Sequence, residues 1–291
     1  MLLIWKLEKK GMKTTVLLEN TKLKNSDLIV EHGISLFIEK DDYNILFDTG
    51  GPQESAIQNA SKLGIDLSKV DAVVISHGHN DHTGGLLKFF QINDKVPVYL
   101  KKEALGLYYS KRLEGEKYIG IDNKIVEKYS KRLQFVDKTL EIAQNIFIVP
   151  NIHKEFPVPY SNHVLFEKIN GKLVKDDFKH ELFMVIENDD DLTVISGCGH
   201  SGIKNIINTA KEVFPDKEID TVIGGFHFQA GASTFAVAEK EEVEEIAEWF
   251  VLEGIGDVYT GHCTGERGMD LMRPILKDNL KRIYTGMKIS I

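Results

Sequence analysis

The sequence predicts an α/β chain folded as a four-layer αββα sandwich, two mixed sheets packed face to face with helices outside and one inserted segment. Three observations point there. Short apolar runs of strand character dominate both halves of the 291 residues. Helical patterns follow directly on the ends of several runs, and no fixed-period repeat or low-complexity tract suggests another architecture.

In the first half, residues 14–18 and 34–38 read as strands, and Asp41, Asp42, Tyr43 and Asn44 supply turn chemistry before Ile45, Leu46 and Phe47. That strand ends at Asp48-Thr49-Gly50-Gly51. Ala56, Ile57, Ala60 and Leu63 at helical spacing then predict a helix over 53–63. The continuous apolar run 70–75 reads as a fully buried strand, followed at once by a histidine-rich loop and a helix opening at 86–90. Residues 101–144 differ, with frequent lysine and glutamate, tyrosines at 108, 109, 118 and 129, and no long apolar run. They are expected to form the inserted segment, mostly helical and lid-like, within a domain spanning 1–291. Strands are predicted at 146–149, 164–166, 182–186 and 192–195, with Asn170-Gly171 and Asp189-Asp190-Asp191 marking hairpin turns. The last third alternates a helix near 203–214, a strand at 221–223, a helix over 243–252 and a strand at 257–260.

A formal charge of −8, with 42% hydrophobic and 27% charged residues, describes a globular chain and argues against nucleic acid as a partner. The opening MLLIWKLEKKG lacks a basic n-region, and no run approaches about eighteen apolar residues. A cytoplasmic location and no membrane partner are therefore expected, and residues 1–11 read as a start-site extension. Trp5, Trp249 and the tyrosines of 101–144 are either core or interface, which leaves a homo-oligomer open. Ten histidines stand against two cysteines, Cys198 and Cys263. That count excludes a disulfide framework and a four-thiolate zinc site, and makes histidine the richer ligand inventory.

Within Ser76-His77-Gly78-His79-Asn80-Asp81-His82-Thr83-Gly84-Gly85, the His-x-His spacing can aim two imidazoles at one point while Asp81 and His82 turn toward a second. Metals that close can stabilise both the attacking and the leaving oxygen of a displacement. Leu46-Phe47-Asp48-Thr49-Gly50 precedes this loop. Gly197-Cys198-Gly199-His200-Ser201-Gly202-Ile203, Gly224-Gly225-Phe226-His227 and Gly261-His262-Cys263-Thr264-Gly265 follow it in that order. Together these motifs resemble the metallo-β-lactamase superfamily, and within it the branch of 7,8-dihydropterin-6-methyl-4-(β-D-ribofuranosyl)aminobenzene-5′-phosphate synthase and its relatives. The resemblance runs from about Met12 to the C-terminus and is weakest over 101–180.

The resemblance implies two divalent metal ions, zinc first, with manganese or iron as alternatives. His77, His79 and His200 would hold one, and Asp81, His82 and His262 the other. Asp48 would orient a ligand histidine from behind, although a turn or N-cap role also fits its strand-end position. At the turn after 192–195 the superfamily's bridging aspartate is missing, and Gly-Cys-Gly-His stands there. Either His200 binds and Cys198 packs inertly, or Cys198 ligates as a soft thiolate, or one metal site is weak or empty. Asp81 and His227 are the candidates for direct catalytic work. His227 would bind a substrate phosphate or protonate a leaving group, unless it is a satisfied core histidine. Cys263 is expected to pack beside the site, and His32, His153, His163 and His180 to be structural.

The expected activity is a metal-dependent hydrolase in which metal-bound hydroxide attacks a phosphoester or another activated ester, cyclic phosphates included. The glycine turns at 197–202 and 261–265 precede helices and suit a phosphate-bearing small molecule. Lys204 and Arg267 would add charge there unless they are solvated. The resemblance also allows a synthase joining a pterin precursor to a ribofuranosyl-aminobenzene phosphate. Two other classes stand against it. Di-iron redox members of the fold carry acidic residues where His79 stands here and are usually fused to a flavin domain. A metal-stabilised binding protein without turnover is the third reading.

Overall fold

Alternation along the strands decides which layer each side chain meets. Leu46 and Val73 face outward, onto helices Ser55–Lys62, Leu86–Ile92 and Asn123–Tyr129, while Ile45, Phe47 and Val74 face inward. In the other half Val194, Val222 and Val258 pack under helices Ile203–Val213, Lys240–Leu252 and Gly265–Leu276. Their neighbours Ile195, Ile223 and Tyr259 point inward and meet Phe47 and Val74 in one cluster between the sheets. The result is helix, sheet, sheet, helix, as predicted. This computed structural model describes residues 11–113, 115–231 and 236–291. Trp5 and all but the last residue of the expected start-site extension lie outside them.

The first seven-stranded sheet runs Lys288–Ser290, Lys13–Leu18, Ser35–Lys40, Tyr43–Phe47, Ala72–Val74, Val98–Leu100 and Leu133–Phe135. The second runs Leu280–Arg282, Asp257–Thr260, Glu218–Gly224, Asp191–Ile195, Phe183–Glu187, Ile146–Val149 and Leu140–Ala143. Tyr43–Phe47 and Ala72–Val74 are parallel neighbours in the first sheet; Asp191–Ile195, Glu218–Gly224 and Asp257–Thr260 are parallel neighbours in the second. Their carboxyl ends therefore emerge at a common edge, where loops rather than strands continue the chain.

The expectation of a mostly helical segment over 101–144 is corrected. Among its described residues only Asn123–Tyr129 is α-helical; Tyr108–Arg112 and Gly115–Tyr118 form a hairpin, and Leu133–Phe135 and Leu140–Ala143 edge the two main sheets. The charge content that suggested a helix surface belongs to a half-exposed hairpin. Lys111 opposes Glu116 and Tyr109 opposes Tyr118, which is cross-strand pairing. This hairpin joins Leu165–Ile169 and Lys172–Lys175 in a separate four-stranded sheet. Asn170 and Gly171 turn that second hairpin with φ of 50° and 79°, the left-handed pair a two-residue turn needs. Among the described residues no helix is long and apolar enough to cross a membrane.

Candidate metal centre

Every motif singled out above lies just beyond the carboxyl end of one of those parallel strands. Asp48 follows Tyr43–Phe47, residues 76–82 follow Ala72–Val74, and Cys198 and His200 follow Asp191–Ile195. His227 follows Glu218–Gly224 and His262 follows Asp257–Thr260. Asp48, His227 and His262 hold left-handed backbone at φ 55°, 48° and 49°. Non-glycine residues enter that region at a cost, and surrounding contacts must hold them there.

The first donor set is His77, His79 and His200, all buried, with ring centroids 4.7–4.9 Å apart and edge-on to one another. Hydrogen bonds determine which nitrogen is free. Ser76 Oγ donates to Asp48 Oδ2 at 2.7 Å and so accepts from His77 Nδ1 at 2.9 Å. Asn162 Nδ2 donates to the His200 carbonyl, which aims Asn162 Oδ1 at His200 Nδ1, 3.0 Å away. The Nε2 atoms of His77 and His200 are left buried without a partner among the described residues. Burial, then neighbouring imidazoles, hold both rings well below the usual histidine value, so they are neutral bases at pH 7.

The second set is Asp81, His82, His262 and Cys198. Asp48 Oδ2 takes His82 Nδ1 at 2.6 Å, and Asn20 Oδ1 lies 2.9 Å from His262 Nδ1, so Nε2 of each ring faces the others. Asp81 Oδ2 stands 3.6 Å from His82 Nε2 and 3.4 Å from His262 Nε2, and Cys198 Sγ stands 3.2 Å from His82 Nε2. Oxygen and nitrogen ligands of one tetrahedral cation at 2.0–2.2 Å lie about 3.3–3.6 Å apart, so the two separations from Asp81 fit a shared ion. Burial works against charge on His82, but Asp48 and Asp81 outweigh it and push the metal-free imidazole up to about 9. Burial, with Cys263 adding to it, pushes the metal-free Cys198 thiol well up. A bound cation reverses that by stabilising thiolate. Two Nε2 atoms aimed at one another, that of His262 without a hydrogen-bond partner among the described residues, together with a carboxylate and a thiol, fit a divalent cation.

Glycine at 78 is required by contact. A Cβ there would lie 2.4 Å from the Ala104 carbonyl oxygen, while the Gly78 N–H is held by His180. Gly78→Ala is expected to cost about 1–3 kcal/mol of stability, read by urea unfolding, because backbone rather than a side-chain tip must yield.

His227 is buried, neither ring nitrogen has a hydrogen-bond partner among the described residues, and its ring lies 4.1 Å from that of His200. Its N–H donates to Cys263 Sγ at 3.3 Å and Ser161 Oγ donates to its carbonyl. Cys263 also joins Cys198 and His227 in a third cluster of close donors. A cavity of about 810 Å³ opens over these groups, lined by His227 and by His32, Arg112, Lys117 and Gln229. Lys204 and Arg267 are not free cations for it: Lys204 pairs with Glu245 and Arg267 donates to the Ala238 carbonyl.

Two histidines read as structural belong to the site. His32 Nε2 lies 3.3 Å from Asp81 Oδ2, and its ring packs 4.7 Å from that of His262. His180 clusters with His79 and Asp176. His153 and His163 stay outside it, against Glu212 and the Tyr160 carbonyl. Sequence reasoning also missed Glu181, whose buried carboxylate accepts the N–H groups of His200 and Ser201 at 2.7 and 2.6 Å. Glu19 does the same for His262 at 2.6 Å. No motif marks these positions; an acid in an otherwise apolar strand context is the only signal they carry.

Fold and donor clusters together define an αββα protein with candidate metal-binding clusters at one sheet edge. The chain belongs to the metallo-β-lactamase superfamily, whose profile matches residues 30–204. It is similar over 288 residues, at 26% identity and 95% of each chain, to the 7,8-dihydropterin-6-methyl-4-(β-D-ribofuranosyl)-aminobenzene-5′-phosphate synthase of Methanocaldococcus jannaschii. Among solved structures it resembles Tm1679, a metal-dependent hydrolase of the β-lactamase superfamily. That match has 35% identity and a TM-score of 0.80, covering 96% of this chain and 99% of the other. A diphosphatase of the PhnP family, at 14% identity and TM-score 0.55 over 96% and 97% of the chains, shares the fold alone.

Proposed function

We propose that this chain is a metal-dependent hydrolase of a phosphoester or related activated ester, using two divalent cations, zinc first and manganese or iron as alternatives. One observation carries the reading: two donor sets, His77/His79/His200 and Asp81/His82/His262 with Cys198, lie side by side beneath the cavity of about 810 Å³. Bound there, the cations would supply Lewis acidity, lowering the pKa of water from 15.7 toward about 7 and neutralising charge on the substrate. The chain's own residues do the rest. Asp48, Ser76, Asn162 and Asn20 hold the imidazoles so that their Nε2 atoms converge. His227, unpartnered at both ring nitrogens among the described residues and beside His200, is the group available to bind a substrate oxygen or protonate a leaving group. Arg112 and Lys117 line the opening and suit a small, phosphate-bearing substrate. The hairpin that carries them is the lid-like part of the segment 101–144.

The test is turnover of bis-(p-nitrophenyl) phosphate and a cyclic-nucleotide panel, with metal, after chelation and after metal restoration. Metal-dependent turnover is expected. In cobalt-substituted protein a thiolate-to-cobalt charge-transfer band is expected and should vanish in Cys198→Ser; a band that survives assigns the sulfur elsewhere. The named synthase, matched over 95% of each chain, supports a second reading, formation of that pterin-linked phosphate. Metal-replete protein that is inactive on every ester but binds a pterin tightly would establish synthesis over hydrolysis. Iron-dependent visible absorption with oxygen uptake would instead favour redox chemistry.

A further inference from the structure

His79, Asp176 and His180 are buried together, with donor atoms close enough for a third cation. Hydrogen bonding argues against that use. His180 Nδ1 accepts the Gly78 N–H at 2.9 Å, and His180 Nε2 lies 3.1 Å from Asp176 Oδ2. A ring that accepts at Nδ1 carries its proton on Nε2, so His180 is neutral, donates to Asp176, and has no nitrogen left for a metal. Burial of the ring acts in the same direction, against the imidazolium. Tyr108 stacks on His180 at 4.0 Å and holds its plane. Asp176 Oδ1 accepts the Phe178 N–H at 2.7 Å, which fixes the carboxylate and leaves Oδ2 facing His79 Nε2 at 3.8 Å.

We propose that Asp176 and His180 are a positioning dyad for His79. Asp176 takes the Nε2–H of His79, so that Nδ1 is the nitrogen offered toward His77 and His200, and His180 pins the loop between the two histidines through Gly78. His79 Nε2 is buried and has no other partner among the described residues, and a sub-ångström shift of the ring closes the hydrogen bond to Asp176. His79 is thereby the opposite tautomer from His77 and His200, whose Nδ1 atoms are occupied and whose Nε2 atoms are free. One loop can then aim two rings at one point although their backbones are only two residues apart. A carboxylate behind a ligand imidazole also makes it more basic and a tighter ligand. The part of this inference concerning affinity rests on the proposed metal site; the tautomer belongs to the metal-free chain.

Long-range ¹H–¹⁵N correlation spectra of metal-free protein read each ring's tautomer, and Nε2–H is expected for both His79 and His180. Zinc affinity, measured by competition with a chelator, is expected to fall about 10–100-fold in Asp176→Asn and in His180→Leu. His180→Gln, whose amide can both accept from Gly78 and donate to Asp176, is expected to stay within about threefold of the parent. A His79 protonated at Nδ1, or a folded Asp176→Asn with unchanged affinity, would overturn the dyad. If Asp176→Asn does not fold, the wild-type tautomer and the contrast between the two His180 variants decide. Wild-type protein that binds no zinc would sink the functional reading, and the tautomers would still test the dyad.

Discussion

His77→Ala is expected to yield folded protein that has lost cation content and about a thousandfold or more of its phosphodiester turnover. His77 is the hub of the cluster: fully buried, its ring packs against those of His79, His82, His180 and His200. Alanine leaves His79 and His200 as a two-ligand remnant and deprives Ser76 Oγ of a donor. Two imidazoles bind a divalent cation far more weakly than three in a built site. Elemental analysis after gel filtration reads the loss directly, with circular dichroism as the control for folding. A variant that keeps the wild-type cation content would refute the assignment of this donor set.

Asp48→Ala should be the most destabilising single change in the site. Its fully buried carboxylate accepts the Ser76 N–H at 2.8 Å, the Ser76 hydroxyl at 2.7 Å and His82 Nδ1 at 2.6 Å. Removing it strands a buried imidazolium and two hydrogen-bond donors, a loss of about 3–5 kcal/mol in metal-free protein. Metal affinity should fall about 10–100-fold as the His82 ring loses its orientation. The pair also predicts a pH dependence. The folded His82 value of about 9 lies above the ordinary 6.5. Its stabilisation is therefore fully present below about pH 6.5 and is lost as pH rises through about 9. The melting temperature of metal-free wild type should fall across that window, and Asp48→Asn should flatten the fall. A wild-type profile that stays level from pH 6.5 to 9 would contradict the ion pair.

Much of the site was legible because its donors are local in sequence. The loop from Ser76 to Gly85 places His77, His79, Asp81 and His82 within six residues, and the structure divides them between two clusters. Cys198 illustrates the limit. Its neighbourhood allows an inert thiol, a ligating thiolate or a weak or empty metal site, and its 3.2 Å approach to His82 Nε2 groups it with the second set. The hairpin at 108–118 was misread because exposed lysines and glutamates look alike on a helix and on the solvent face of a strand pair. Cross-strand partners such as Lys111 and Glu116 become evident only once the register is known. His180 reads as structural and Asp176 carries no signal in the sequence, because neither lies beside a histidine motif. Their importance comes from a hydrogen bond to Gly78, 102 residues earlier in the chain.

Layering and ligand inventory are legible in the residues alone. Alternation along each strand chose the faces, and the strand-end motifs named the loops that carry metal-binding chemistry. Tertiary structure decided which nitrogen of each ring is free and which side chain stands behind it. Those partners are remote: Asn162 for His200, and Asn20 and Glu19 for His262, the last across 243 residues. The physical reason is that a donor's reactivity depends on the hydrogen bond at its far side. That bond forms only after sheet pairing has brought distant strand ends to one edge.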